Sequence, residues 1–381
     1  MNPIYLDYNA TTPVDPRVLE AMLPFFSQTF GNAASTSHIF GRTAKSAVEG
    51  SRKIVAQHLG AEPSEIIFTS GSTEALNMLI KGVPAANLTK GNHIVTVCSE
   101  HQAVLDTCGF MEENGYDVTY LPVDSNGMID SILLQQAIRP ETVLVCVMMV
   151  NNETGVLQNI EELVAVAHAH GAFFLTDATQ AVGKIPVNVR ELGVDALCFS
   201  AHKFYGPKGI GGIFLNKKMS VAKPFPILHG GKHEFGFRSG TLNVPGIVGM
   251  TEALHIAVEE METAAAVIKS LAKTFAEAMK KNCGATLNGH PDLRLSHTVN
   301  LRFPGVSTEI LLAKLSNQLG ASAGSACSSG SEHYSHVLKG MGFSDEHASQ
   351  SVRFSLGKPT TEDEISEAIA LITAAVNDLK R

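Results

Sequence analysis

Ala196-Leu197-Cys198-Phe199-Ser200-Ala201-His202-Lys203 decides how this chain is read. Its apolar half has the length of a short buried strand. Its polar half opens at once into a glycine cluster, Gly206, Gly209, Gly211 and Gly212. Lysine is almost never fully buried without a partner, so one placed where a strand gives way to a Gly-rich loop asks for a reason. Desolvated there, it would lose basicity and become a nucleophilic amine, the kind that holds an aldehyde as a Schiff base. On an open surface loop it would be a solvated charge and nothing more. The stretch by itself allows both.

Working outward, the same unit of apolar run, small-residue turn and helical pattern recurs. Strands are expected at 65–69, 93–98, 117–122, 143–150, 172–176, 196–200 and 212–215, with helices at 43–59, 72–80, 101–114 and 160–170. Gly60 supplies a C-terminal cap signal for the first of these helices. Strands alternating with helices predict an open α/β sheet, and in such sheets ligands sit outside the carboxyl ends of the strands. One long helical stretch from 245 past 276 is expected to join this sheet to a second unit. There a strand at 298–303, a helix at 308–318 and a closing amphipathic helix at 362–379 read as a smaller α+β domain.

Composition excludes several classes. The chain has 381 residues, 44% hydrophobic and 17% charged, which is ample for a sizeable core. A net charge of −8 disfavours a general nucleic-acid or anionic-membrane surface, so no DNA binding is expected. No run approaches the ~20 apolar residues of a membrane span, and Met1 to Asp7 carries no signal-peptide pattern. The six cysteines show no C-x-x-C pair, which predicts a reduced, cytoplasmic protein. His168-Ala169-His170 has no ligand set around it, so no metal site is expected.

Five further segments carry chemistry. Ser70-Gly71-Ser72-Thr73-Glu74-Ala75 ends a strand and opens a helix, which makes either an anion site or a plain helix cap. Asp177-Ala178-Thr179-Gln180 puts an aspartate at a buried strand end, where it either caps a helix or pairs with a cation such as a protonated pyridine nitrogen. His101, just past a strand, can stack on a ring, shuttle protons or cap a helix. Ser322 to Gly330 surrounds Cys327 with small residues, so nothing bulky shields that sulfur, and a working thiol is expected there rather than a core filler. Arg353, an isolated cation in a strand-like segment, suits bidentate capture of a carboxylate or an ordinary ion pair.

Together these segments resemble the NifS/IscS-type cysteine desulfurases, pyridoxal-phosphate enzymes of the aspartate-aminotransferase fold. The resemblance runs nearly end to end. It rests on D-Y-N-A-T-T at Asp7 to Thr12, S-G-S-T-E-A at Ser70 to Ala75, S-E-H at Ser99 to His101 and N-N-E-T-G at Asn151 to Gly155. It continues with D-A-T-Q at Asp177 to Gln180, S-A-H-K at Ser200 to Lys203, R-S-G-T at Arg238 to Thr241, G-S-A-C at Gly324 to Cys327 and R-F-S-L-G at Arg353 to Gly357. Gly230-Gly231-Lys232-His233-Glu234 departs from the family's common G-G-G-Q-E.

The resemblance implies a fold type I architecture: a large cofactor domain over 13–255 with a mixed, mostly parallel sheet, and a small domain from 1–12 and 256–381. It implies that Lys203 holds the cofactor aldehyde and later moves the substrate Cα proton. Asp177 would pair with the pyridine nitrogen, Gln180 bond the ring hydroxyl, and His101 stack on the ring and assist proton transfer. Ser72, Thr73, Ser200 and His202 would hold the phosphate. Thr241 would reach the phosphate of a partner subunit in a homodimer. Asn152 and Arg353 would hold L-cysteine, and Cys327 would take its sulfur as a persulfide, leaving alanine. A sulfur-acceptor protein, such as an iron–sulfur scaffold or a tRNA-thiolation protein, would receive it. Selenocysteine lyase shares the same site, and a Cys-His thiol hydrolase built on Cys327 is the reading from another class, though it leaves Lys203 and Asp177 unexplained.

Overall fold

The apolar runs between 65 and 215 become a single sheet in the computed structural model, which describes residues 3–221, 224–324 and 334–381. In chain order the strands are β1 (Ile4–Tyr5), β2 (Ile66–Thr69), β3 (His93–Val97), β4 (Asp117–Leu121), β5 (Thr142–Met148), β6 (Phe173–Asp177), β7 (Ala196–Ser200), β8 (Gly211–Leu215), β9 (Thr286–Leu287), β10 (Thr298–Arg302), β11 (Leu319–Gly320) and β12 (Ser351–Ser355). The central sheet has seven strands in the order β2-β8-β7-β6-β5-β3-β4. Strands β4, β3, β5, β6 and β7 run parallel, and β8 runs antiparallel to both its neighbours. The sheet is therefore mixed and mostly parallel.

Every residue of β2, β3, β5, β7 and β8 is buried, which is why these strands read as unbroken apolar runs rather than alternating ones. Helices cover both faces. The glycine cluster after Lys203 has a packing role as well: a Cβ on Gly211 would fall 2.7 Å from Gly71 Cα. Gly71 itself has φ +149°, which favours glycine. The ends of β2 and β8 can thus approach the start of the helix Ser72–Ala86.

Several helices run differently from expectation. Ser72–Ala86 continues beyond residue 80, because Leu79, Ile80 and Val83 extend its buried stripe. Ile39–Leu59 begins earlier than residue 43, capped by His38, whose Nδ1 accepts Gly41 N–H at 3.2 Å. The single helix expected from 245 past 276 is two, Val244–Glu259 and Met261–Cys283, with Glu260 between them. The reason is packing. Ile247, Met250 and Leu254 join the core of the central sheet, whereas Ile268, Leu271, Phe275 and Met279 join a second core. One straight helix cannot aim its apolar stripe at both.

The second core lies beneath the antiparallel sheet β12-β10-β9 and the parallel pair β1–β11, closed by the helix Glu362–Leu379. The N-terminal segment contributes Ile4 and Leu6 to it, so the first residues of the chain pack with the last. Among the described residues, no helix is long and apolar enough to cross a membrane.

Candidate active site

The carboxyl ends of β5, β6 and β7, the start of the helix Ser72–Ala86 and the N-terminal segment enclose a cavity of ≈ 510 Å³. Lys203, Asp177, Gln180, His101, Ser72, Thr73, Ser200, His202, Asn152 and Arg353 all line it. Two further residues are expected to act here, Thr241 from a partner subunit and Cys327 on its loop. Thr241 is exposed, ahead of the helix Val244–Glu259, and does not line this cavity. Cys327 lies outside the described residues.

Lys203 ends a short turn immediately after β7. Its Nζ donates to the main-chain carbonyls of Asn9, at 2.6 Å, and Ala10, at 2.8 Å. The N-terminal segment is therefore a wall of the site and not a mere lead-in. Asn9 is its junction. Its carbonyl also accepts Gln180 Nε2–H at 3.0 Å, and its Nδ2 donates to Asn152 O at 3.2 Å and Thr298 Oγ1 at 2.8 Å. Asn9 works through both its carbonyl and its carboxamide, and local periodicity does not point to it.

Asp177 ends β6 with 6% exposure. Its Oδ1 accepts Thr179 N–H at 2.9 Å, the Thr179 hydroxyl, and the Cys198 thiol at 3.6 Å. These donors are neutral, so none of them offsets the carboxylate with a positive charge. The Thr179 hydroxyl also lies 2.6 Å from Ser72 Oγ. This makes a chain Ser72–Thr179–Asp177 along the cavity floor. Behind the floor, Glu100 is fully buried. Burial pushes its carboxyl well above the usual carboxylate range, and the Met148 N–H that it accepts at 2.7 Å opposes only part of that rise.

His101 caps the helix Gln102–Glu113, its Nδ1 accepting Ala103 N–H at 3.1 Å. An accepting Nδ1 places the proton of the neutral ring on Nε2. Burial holds the His101 pKa below the ordinary histidine value, with Asp177 opposing and Lys203 reinforcing that shift. His202 is driven down to about 4, by burial and then by Lys203, Lys208 and Lys184. Both imidazoles are therefore neutral near pH 7.

At the other end of the cavity, the helix Ser72–Ala86 presents its N-terminal N–H groups behind Gly71. The start of a fifteen-residue helix with two hydroxyls beside it is suited to an anion. Glu74 in its first turn would repel an anion, but its carboxylate is taken by Arg238 Nε at 2.9 Å and Ser70 N–H at 2.7 Å.

Arg353 on β12 is 2% exposed and is not isolated. A buried guanidinium needs a counter-charge, and Asp7 supplies it at 2.6 Å. Beyond that ion pair, Nη1 donates to Asn152 O at 3.1 Å, and Nε is buried without a partner. Asn152 Oδ1 is likewise buried and unpaired. The cysteines other than Cys327 offer no rival thiolate, since burial pushes Cys98, Cys108, Cys146, Cys198 and Cys283 upward, Cys108 to about 12.

The Gly230 to Glu234 departure is local. Lys232 is exposed, whereas the retained Glu234 is buried and bidentate with Arg52, at 2.7 and 2.8 Å. That pair holds Glu234 and Phe235 at positive φ, +48° and +58°, a strained conformation for non-glycine residues.

An amine-bearing lysine, a buried carboxylate on neutral donors, a helix start for an anion, and unpaired Asn152 and Arg353 atoms suit pyridoxal 5′-phosphate and an amino acid beside it. The fold and this donor set define a fold type I pyridoxal-phosphate protein. The pattern of the Aminotransferase class-V family matches residues 4–367, and the chain belongs to that family. It is 46% identical over 379 residues to "Cysteine desulfurase IscS" of Rickettsia bellii, covering 99% of this chain and 92% of that one. It is 46% identical over 378 residues to the protein of the same description from Methylococcus capsulatus, covering 99% and 93%. Among solved structures, a "NIFS-LIKE PROTEIN" matches with TM-score 0.92 and 36% identity, covering 99% of this chain and all of that one. "SspA in complex with cysteine" matches with TM-score 0.83 and 37% identity, covering 94% and 100%.

Proposed function

We propose that this chain is a pyridoxal-phosphate-dependent cysteine desulfurase. It converts L-cysteine to L-alanine and passes the sulfur to Cys327 as a persulfide. The reaction balances without an external oxidant: the Cβ–S bond of the substrate breaks, a sulfur–sulfur bond forms at Cys327, and the substrate carbon takes up a proton. The observation that carries this reading is full-length identity near 46% to relatives described as cysteine desulfurases, in a chain whose Lys203 and Asp177 line one cavity.

When bound, the cofactor supplies a cationic ring that withdraws electrons from the substrate Cα. The chain does the rest. Asp177 keeps the ring nitrogen protonated, Gln180 bonds the ring hydroxyl, and Ser72, Thr73, Ser200 and His202 hold the phosphate at the helix start. Lys203 binds the cofactor aldehyde and carries the Cα proton. His101 lies against the ring and moves protons at Nε2. Arg353 turns its unpaired Nε–H to the amino-acid carboxylate, and Asn152, lining the same cavity, helps hold the substrate.

The division into a large domain over 13–255 and a small one over 1–12 and 256–381 is supported by the separation of the two apolar cores. A homodimer is supported by the exposed Leu23, Phe26, Phe30, Ile39 and Phe40 and by the exposure of Thr241, which is free to meet a partner's phosphate. A cytoplasmic location and delivery of sulfur to an iron–sulfur scaffold or a thiolation protein complete the reading.

The test is direct. Purified holoenzyme incubated with L-cysteine should release alanine and leave a persulfide on Cys327 detectable by mass spectrometry. No alanine would sink the reading, and faster turnover of L-selenocysteine would replace it with selenocysteine lyase. Mixed dimers of Lys203→Ala and Thr241→Ala subunits would report whether the site is shared.

A further inference from the structure

Behind the cavity stands a second lysine that the reaction above leaves unused. The turn after β6 carries Lys184, whose Nζ lies 2.6 Å from Gln180 Oε1 and 3.3 Å from Asn9 Oδ1. Part of the side chain borders a small cavity of ≈ 30 Å³ shared with His297 and Tyr205, while the ammonium group is desolvated. Burial, then Lys203 and Arg353, bring Lys184 down to about 7.

The geometry matters because a lysine ammonium only donates. Lys184 therefore fixes the oxygen end of the Gln180 carboxamide toward itself. The amide nitrogen is turned the other way, where one N–H goes to Asn9 O at 3.0 Å and the second remains for the cavity that Gln180 lines. Asn9 O and Lys184 Nζ thus hold opposite ends of the same carboxamide.

We propose that Lys184 is a positioning residue: it holds Gln180 with an N–H toward the ring hydroxyl oxygen of the cofactor and sets a positive charge behind that oxygen. This rests on the desulfurase reading, in which Lys203 and Asp177 hold that ring. A cation so placed favours the anionic ring oxygen and disfavours a proton on the Lys203 nitrogen.

The neighbours do not confuse a titration near neutral pH. Burial first, and a lysine next, hold His202 and His297 down to about 4 and about 3. Burial pushes Tyr205 up. Across the small cavity Lys358 and Glu260 neutralise each other at 2.5 Å. Burial also holds His101 below its ordinary value and Tyr8 above its own, while Asp177 lines the cavity with Lys203.

The experiment is a pH titration of the absorption of the cofactor bound to purified holoenzyme, with its dissociation constant measured alongside. Lys184→Met should raise the midpoint of the Lys203-dependent absorption by about one pH unit. It should also weaken cofactor binding about ten-fold. Lys184→Arg should recover part of both. In a Gln180→Ala background, Lys184→Met should cost clearly less affinity than it does in the wild-type background, only the charge effect being left. An unchanged midpoint overturns the proposal, whether or not affinity falls, and so does a full additional loss in the Gln180→Ala background. Should Lys184→Met fail to fold, Lys184→Gln keeps a donor without charge and gives the same midpoint test. A wild-type protein with no Lys203-dependent absorption would instead overturn the desulfurase reading itself.

Discussion

The two walls of the cavity are built by different means. On the sheet side each acting residue sits at or just past a strand end: Asp177 closes β6, Lys203 follows β7, and His101 follows β3. A parallel sheet with buried faces holds these ends in fixed register, so their spacing is set by the hydrogen-bond ladder. On the opposite side Arg353 is positioned by Asp7, 346 residues away, and by the Asn152 carbonyl, 201 residues away. That wall exists only when the N-terminal segment, β12 and the 151–155 loop have met. The sheet wall is suited to fix the chemistry at the ring, and the assembled wall to fix the substrate. Substitutions on the first should therefore act on kcat and those on the second on KM.

The largest effect belongs to the sheet wall. Lys203→Ala should lower kcat for alanine formation by at least about 10⁴-fold, the upper range for a positioned acid–base group. Steady-state assay checks it, and a residual rate within ten-fold of wild type would place the proton carrier elsewhere. Asp177→Asn comes next. It removes the fixed negative charge and should cost about 10²–10³-fold in kcat, by analogy with deleting one preorganised electrostatic group. KM should change little. A rise in KM with kcat preserved would break the assignment of Asp177 to ring chemistry.

The same contrast explains what could be read from the chain beforehand. Strand-end residues were legible, because an apolar run followed by Ser-Ala-His-Lys or Asp-Ala-Thr-Gln is a local signal. The local pattern gave an open α/β sheet, and its mixed, mostly parallel order came from the family resemblance. The junction made by Asn9 was not legible, because its carbonyl and carboxamide meet residues lying 143 to 289 positions away. The pairing of Arg353 with Asp7 was not, because a link spanning almost the whole chain leaves no periodicity. The break at Glu260 escaped for another reason: helical spacing continues through it, and only two separate cores force the turn. Thr179 lay inside a motif already quoted, yet its link from Ser72 to Asp177 depends on the approach of two loops.

The assembled wall is probed by Arg353→Lys. The charge toward Asp7 survives, but the planar fork that serves Asn152 O and the buried Nε is lost. KM for L-cysteine should rise about ten-fold, the worth of one charge-assisted hydrogen bond, with kcat within about three-fold of wild type. An equal fall in kcat and kcat/KM would show that the two walls do not divide the work as proposed.

The smallest effect asks how the two walls respond to acid. His297, just ahead of β10, is enclosed with its Nδ1 unpaired, and burial brings it to about 3. The unfolded chain keeps the ordinary value near 6.5. Between those values the unfolded state binds more protons than the folded state, so stability rises with pH and falls as pH drops from 6.5 toward 3. His202 on the sheet wall has the same sign, with its window ending near pH 4. In His297→Gln one of these titrations is gone. Calorimetry of the apoprotein at pH 7 and pH 5 should then show a loss of Tm about 2–4 °C smaller than in wild type. An identical loss in both proteins would mean that His297 is already protonated, or solvated, in the folded state.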